Sequence, residues 1–225
     1  MVGIVQKVTL AWSGGKDSAI AFMELSRDPR YKIVSLLTTI TEGYERISMH
    51  GVRVSLLEKQ AKSLDLPLIK VTIPRGSSNE QYESAMRKAM VDVQADGITA
   101  VAFGDLFLED IRQYREEKLS QVGMKAIFPL WNRDTRELAN SFLNAGFKAI
   151  LVCVDSESLD RSFAGRAFDE SLLSDLPPNV DPCGENGEFH TFVYAGPIFN
   201  HPILIRLGDI VLRENRFWYC DLLPG

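Results

Sequence analysis

Six consecutive residues, Ser-Gly-Gly-Lys-Asp-Ser at 13–18, separate an apolar run from a helix-forming stretch. Gly14 and Gly15 carry no Cβ, so the backbone there can approach an anion closely. The amides from Gly15 to Ser18 open a helix, and a helix N-terminus favours a phosphate. Ser13 and Ser18 add hydroxyls and Lys16 adds a mobile positive charge. Asp17 is unusual beside a phosphate and suits either a metal ion or a helix cap. A second concentration of reactive types is Asp-Pro-Cys-Gly-Glu-Asn-Gly-Glu-Phe-His at 181–190. Glu185 and Glu188 can bind Mg²⁺, receive ammonium or contact a cationic substrate, and His190 joins them as a candidate base. Gly184, Asn186 and Gly187 complete that loop as candidate substrate contacts. Gly104 and Asp105 follow a short apolar run, where glycine allows close ligand approach and the carboxylate faces a ligand, a metal or the next helix N-terminus. Arg46 and His50 lie in Arg-Ile-Ser-Met-His-Gly at 46–51. The plainer readings are solvated loop acids, a hydrogen-bonding histidine and, for Cys183, a packed free thiol.

These residues need strand ends to hold them. Apolar, β-branched runs at Val8–Trp12, Ile33–Thr38, Leu68–Ile73, Ile98–Phe103, Ala126–Pro129 and Ala149–Val154 alternate with helical stretches. Leu56, Leu57, Gln60, Ala61 and Leu64 have the three-and-four spacing of a helix with one buried face. Strands alternating with helices predict a doubly wound parallel α/β sheet. Such sheets bind ligands beyond the carboxyl ends of their strands, where strand order reverses. That places the hexamer, Gly104 and Asp105 at a ligand crevice, with Thr38, at the end of the second predicted strand, among the candidate nucleotide contacts. After Val154 the chain becomes richer in Ser, Asp, Gly and Pro, and short β-like runs follow. The expected division is 1–155 for a nucleotide-binding domain and 156–225 for a smaller α+β substrate domain.

The totals narrow the class. Lys plus Arg is 25 and Asp plus Glu is 30, a formal net charge of −5. The acidic balance argues against nucleic acid as a partner. Three cysteines without a C-x-x-C spacing predict neither a disulfide framework nor a zinc site. The first residues do not read as a signal peptide and no apolar run has membrane-spanning length, so a cytoplasmic protein without a membrane partner is expected. A second copy of the chain stays open as a partner.

The hexamer lacks the G-x-x-x-x-G-K-[ST] spacing of the Walker loop. It resembles instead the PP-loop of the N-type ATP pyrophosphatases, the adenine nucleotide alpha hydrolase-like group, which cut ATP between the α and β phosphates. "TTITEGYERISMHGVRVSLLEKQAKSLDLPL", "FGDLFLEDIRQYREEKL", "FPLW" and "DPCGENGEFHTFVYAGPIF" together resemble the diphthine–ammonia ligase (diphthamide synthase) family and its bacterial relatives. The resemblance implies a HUP/Rossmann-like domain that binds ATP and Mg²⁺ through Ser13–Ser18, Thr38, Gly104 and Asp105, with Asp17 and Asp105 toward the metal. It implies catalytic roles for Lys16, Asp17, Glu185, Glu188 and His190. Arg46, His50 and residues 184–188 would meet the acceptor. The implied reaction adenylates a carboxylate of a protein side chain or small molecule, releases pyrophosphate, and amidates the acyl group with ammonium. Asn186–Gly187 replaces a Gly-Gly of the best-known family members and Phe189–His190 replaces a Tyr-Glu; these departures fall where the acceptor is expected. The same ATP chemistry also serves enzymes that thiolate tRNA or small molecules, and the same fold serves nucleotide sensors without turnover.

Overall fold

The computed structural model describes residues 5–44, 46, 47 and 51–225, and in it the apolar runs become two sheets. The first is built from β1 (Gln6–Ala11), β2 (Tyr31–Thr41), β3 (Leu68–Ile73), β4 (Ala100–Ala102) and β5 (Lys125–Ile127), in the order β3-β2-β1-β4-β5. Every neighbouring pair in it is parallel. The connecting helices are α1 (Lys16–Arg27), α2 (Val54–Ser63), α3 (Asn79–Ala95) and α4 (Glu109–Ser120).

The two-residue repeat of a strand decides which helices cover which face. Val8, Leu10, Leu36, Ala100 and Ala102 pack with α1 and α2, through Ala19, Ile20, Met23, Leu56, Leu57 and Ala61. Their neighbours Leu37, Val71, Val101 and Phe103 turn to the opposite face and meet Met90 and Val93 of α3 and Leu119 of α4. α3 starts where its sequence provides a capping box: the Ser78 side chain accepts the Gln81 amide, and the Gln81 side chain accepts the Ser78 amide. Strand order reverses between β1 and β4. The loops that leave these two strands therefore flank the crevice, and they carry the hexamer and Gly104–Asp105.

After α5 (Thr135–Asn144) comes a second sheet, antiparallel, of β6 (Lys148–Asp155), β7 (Phe189–Ala195), β8 (Ile205–Arg213) and β9 (Phe217–Pro224), ordered β7-β6-β9-β8. A short helix, α6 (Glu170–Asp175), lies between β6 and β7. The expectation that Ala149–Val154 closes the first sheet is corrected here, because β6 pairs with β7 and β9. Its continuous apolar run suits any strand buried on both faces, so its sequence alone does not select the sheet. Among the short β-like runs expected after Val154, Ile205–Arg213 forms one strand, β8, with a register irregularity between Leu207 and Ile210. β2 also extends past its expected end at Thr38 to Thr41, which leaves Thr38 buried inside the sheet opposite Lys70. A single apolar core passes from β1 and β2 through α1, α2 and α5 into β6, β7 and β9, so the second sheet packs onto the layer that holds the hexamer.

Candidate active site

The hexamer links β1 to α1 as one tight turn. Gly14 has φ +78° and Gly15 is the N-cap of α1, with no side-chain cap. Of the first-turn amides of α1, those of Asp17 and Ser18 have neither an intrahelical nor a capping partner, the condition under which a helix start takes an anion. The serine hydroxyls brace the loop itself: Ser13 Oγ accepts the Gly15 amide at 3.2 Å and Ser18 Oγ donates to the Gly15 carbonyl at 2.9 Å.

Gly104 explains how the β4 loop comes so near. A Cβ there would sit 2.9 Å from the Asp17 carbonyl carbon and 3.1 Å from the Ser18 amide nitrogen. The backbone of α1 occupies the space that had been expected for a ligand. Because backbone cannot move aside as a flexible side chain does, Gly104→Ala is expected to destabilise the protein by about 1–3 kcal/mol through overpacking. It should also weaken anion binding at the hexamer by displacing the start of α1. Thermal melts and titration of the variant with inorganic phosphate check both effects, and an unchanged melting temperature would contradict the assigned contact.

The second sheet closes over the hexamer. Thr191 Oγ1 on β7 accepts the Lys16 amide at 3.1 Å, and the Val193 amide donates to the Gly14 carbonyl at 2.9 Å. The Lys16 side chain is 2% exposed; its ammonium donates to both Asp17 carboxylate oxygens at 2.8 Å and to the Cys183 carbonyl. Burial opposes its charge, but Asp17 prevails and raises its pKa above that of an ordinary lysine. Lys16 is therefore a buried, permanent cation where β1, β7 and the 181–188 loop meet.

Two carboxyl groups, Asp17 and Glu185, share its field, and Asp105 interacts with both of them. Glu185 Oε1 accepts the Leu106 amide at 2.8 Å, which ties the 181–188 loop to the β4 loop. Burial first, and then the neighbouring charges of Asp17 and Asp105, push the Glu185 pKa up to about 7 against the pull of the Leu106 amide and Lys16. Asp105 is also raised, by burial ahead of the opposing pull of Arg115. Arg115 Nη2 donates to Asp105 Oδ1 at 3.0 Å. Its Nε lies 2.8 Å from Oδ2 without the alignment of a hydrogen bond, leaving those two buried atoms unsatisfied. Asp17 and Asp105 thus already face protein cations, and among the described residues no group of three or more His, Cys, Asp or Glu is arranged to hold a metal ion.

Several expected contacts have other work. Glu188 is turned into its own loop, where Oε1 accepts the Asp181 amide and Asn186 Nδ2, and Oε2 accepts the Asn186 amide. Gly184 and Gly187, with φ of +68° and +89°, shape that loop. His190 lies on β7, and burial followed by the Lys16 charge lowers its pKa to about 4. A neutral imidazole of that basicity is a poor acceptor of a proton from ammonium. The Cys183 thiol donates to the Thr135 carbonyl at 3.2 Å, and burial raises its pKa to about 12, so it is a packed thiol rather than a thiolate. Arg46 donates to the Gly51 carbonyl and pairs with Asp221 at 2.9 Å, alongside Arg53 on the same carboxylate, which joins it to β9 rather than to the hexamer. His50 lies outside the described residues.

Thr191, Arg115 and Gln60 also belong to the site, although none of them is expected there from the sequence. Thr191 and Arg115 carry no local signal. Gln60 did carry one, as a polar residue in the buried stripe of α2, and buried polar groups require partners.

Comparison with known proteins agrees with this architecture. The diphthamide synthase N-terminal domain model matches residues 6–126 and the diphthamide synthase C-terminal domain model matches residues 134–222. The diphthine–ammonia ligase of Schizosaccharomyces pombe is 26% identical over 222 residues, matching 90% of this chain and 36% of its own length. That of Bos taurus is 23% identical over 237 residues, matching 92% of this chain and 86% of its own length. The chain thus spans about a third of the yeast relative and most of the bovine one. A solved U34-tRNA thiolase from Methanococcus maripaludis overlaps 64% of this chain and 59% of its own, with 17% identity and a TM-score of 0.38. With family models matching in order across both sheets, the chain belongs to the diphthamide synthase family.

Proposed function

We propose that this protein is an ATP-dependent, AMP-forming ligase that joins ammonia to a carboxylate, with diphthine as the acceptor its relatives' names suggest. The observation that carries the reading is the hexamer itself. Its glycine turn and uncapped helix start are joined by hydrogen bonds to Thr191 of β7 and, through the Lys16 ammonium, to the Cys183 carbonyl in the loop that bears Glu185. The loop fits a pyrophosphate because Gly15 leaves first-turn amides without a cap and Lys16 supplies a fixed positive charge. Mg²⁺ would enter this reading as the counter-ion of the nucleotide, toward Asp17 and Asp105.

The acceptor carboxylate oxygen attacks the α-phosphorus of ATP, the bond to the β-phosphate oxygen breaks, and pyrophosphate leaves. Lys16 and the loop amides stabilise the negative charge that grows on the leaving group, generally the dominant contribution in such transfers. Ammonia then attacks the acyl carbon and AMP departs. Glu185, with a pKa of about 7, takes the proton that ammonium must lose. The packed Cys183 thiol gives no support to sulfur transfer.

The test is product analysis with ATP, Mg²⁺ and ammonium, with and without a diphthine-bearing protein. AMP and pyrophosphate that appear only with the acceptor, and amide that appears only with ammonium, are expected. ADP and phosphate as products would refute the reading. Within it, we also take the protein to act in the cytoplasm; no described helix is long and apolar enough to cross a membrane.

A further inference from the structure

Gln60 lies on α2 and is 0% exposed, yet its side chain makes three hydrogen bonds, to Trp12 just before the hexamer, to Gly14 within it and to Val193 of β7. Its Oε1 accepts the Trp12 indole N–H at 2.8 Å, and its Nε2 donates to the Gly14 carbonyl at 3.1 Å and to the Val193 carbonyl at 2.6 Å. The amide can face only one way. An indole N–H is solely a donor, so the oxygen must face Trp12, and the two backbone carbonyls require the nitrogen.

The Gly14 carbonyl thereby receives two donors, Gln60 Nε2 and the Val193 amide, which occupy both of its lone pairs on the side of α2 and β7. This matters because Gly14 is a glycine at φ +78°, and glycine crosses between backbone regions at little steric cost. A flip of the Gly14–Gly15 peptide would turn that carbonyl oxygen toward a bound phosphate and repel it.

We infer that Gln60 is a positioning residue for the phosphate loop, holding the Gly14 carbonyl toward the second sheet so that the loop presents N–H groups to the anion. The inference rests on the proposed function and assigns Gln60 no contact with substrate. It gives the second sheet a part in nucleotide binding, since the same amide also holds Val193 of β7.

The experiment compares ATP-dependent AMP formation by the full chain with that of Gln60→Met, Gln60→Glu and Trp12→Phe, with a thermal melt of each. Methionine keeps the length of the side chain and loses both donated bonds, so KM for ATP should rise about tenfold or more with kcat less affected. A charged glutamate cannot donate, but its protonated form can donate to one carbonyl. The KM of Gln60→Glu should therefore fall toward the wild-type value as pH is lowered, which a packing defect would not reproduce. Trp12→Phe leaves Gln60 in place without its orienting donor and should raise KM several-fold; it decides the matter if the Gln60 variants fail to fold. Wild-type KM in Trp12→Phe and in any folded Gln60→Met, or a Gln60→Glu defect that ignores pH, would overturn the role of Gln60 alone. A wild-type protein that forms no AMP with its acceptor would overturn the proposed function and this role with it.

Discussion

Lys16→Met is expected to lower AMP formation by about 10²–10³-fold, the usual cost of removing one preorganised charge-stabilising group from a transition state. Methionine follows nearly the same path as the lysine stem, so the variant removes the ammonium and little else. The charge it removes is held at a single place, by Asp17 on one side and the Cys183 carbonyl on the other. Such a cation need not be reorganised as negative charge grows on the departing pyrophosphate. The loss should appear mainly in kcat, while KM for ATP changes less because the loop amides remain. Stability should fall modestly, since the Cys183 carbonyl loses its donor while Asp17 keeps access to solvent at 29% side-chain exposure. Single-turnover pyrophosphate release together with a thermal melt separates these effects. A folded Lys16→Met with wild-type release would remove Lys16 from the chemistry.

Glu185→Gln should divide the reaction in two. Glutamine keeps an oxygen to accept the Leu106 amide, so the contact between the two loops survives. It cannot take a proton. The ammonium-dependent step should therefore slow by about 10²–10⁴-fold, while exchange of pyrophosphate into ATP, which needs only adenylation, continues. In the wild type the amidation rate should rise as pH passes about 7, where Glu185 ionises; the variant should lack that inflection and keep only the rise from free ammonia at higher pH. The linked effect on stability has a definite sign. The Glu185 pKa is raised from its unperturbed 4.5 to about 7, so the folded protein holds this proton more tightly than the unfolded chain does. Its contribution is complete below about pH 4.5 and is lost as pH rises through about 7. Glu185→Gln should lack this loss and compare more favourably with the wild type at pH 8 than at pH 5. Equal loss of adenylation and amidation in the variant would give Glu185 a purely structural place.

The hexamer, the order of strands and helices, and the density of acids and glycines at 181–190 were legible in the sequence because each is local. A strand reads as an apolar run and a helix as a repeat of three and four. A phosphate turn reads as glycines beside Lys and Ser. Local reading failed where a residue's role depends on what lies opposite it. Nothing near Ala149–Val154 says that its hydrogen-bonding edges meet β7 and β9 rather than the parallel sheet. Glu185 and Glu188 are two acids three residues apart in one loop, yet one accepts the Leu106 amide within the field of Lys16 and the other binds the amides of its own turn. His190 and Cys183 have reactive side chains, but burial keeps the imidazole neutral and the thiol protonated. The residues alone mark a Ser-Gly-Gly-Lys-Asp-Ser turn leading out of the first strand of an α/β sheet. Which groups share that turn's field follows from the folded chain, because burial and long-range pairing set the charge and partners of each and neither is written in the residues alongside.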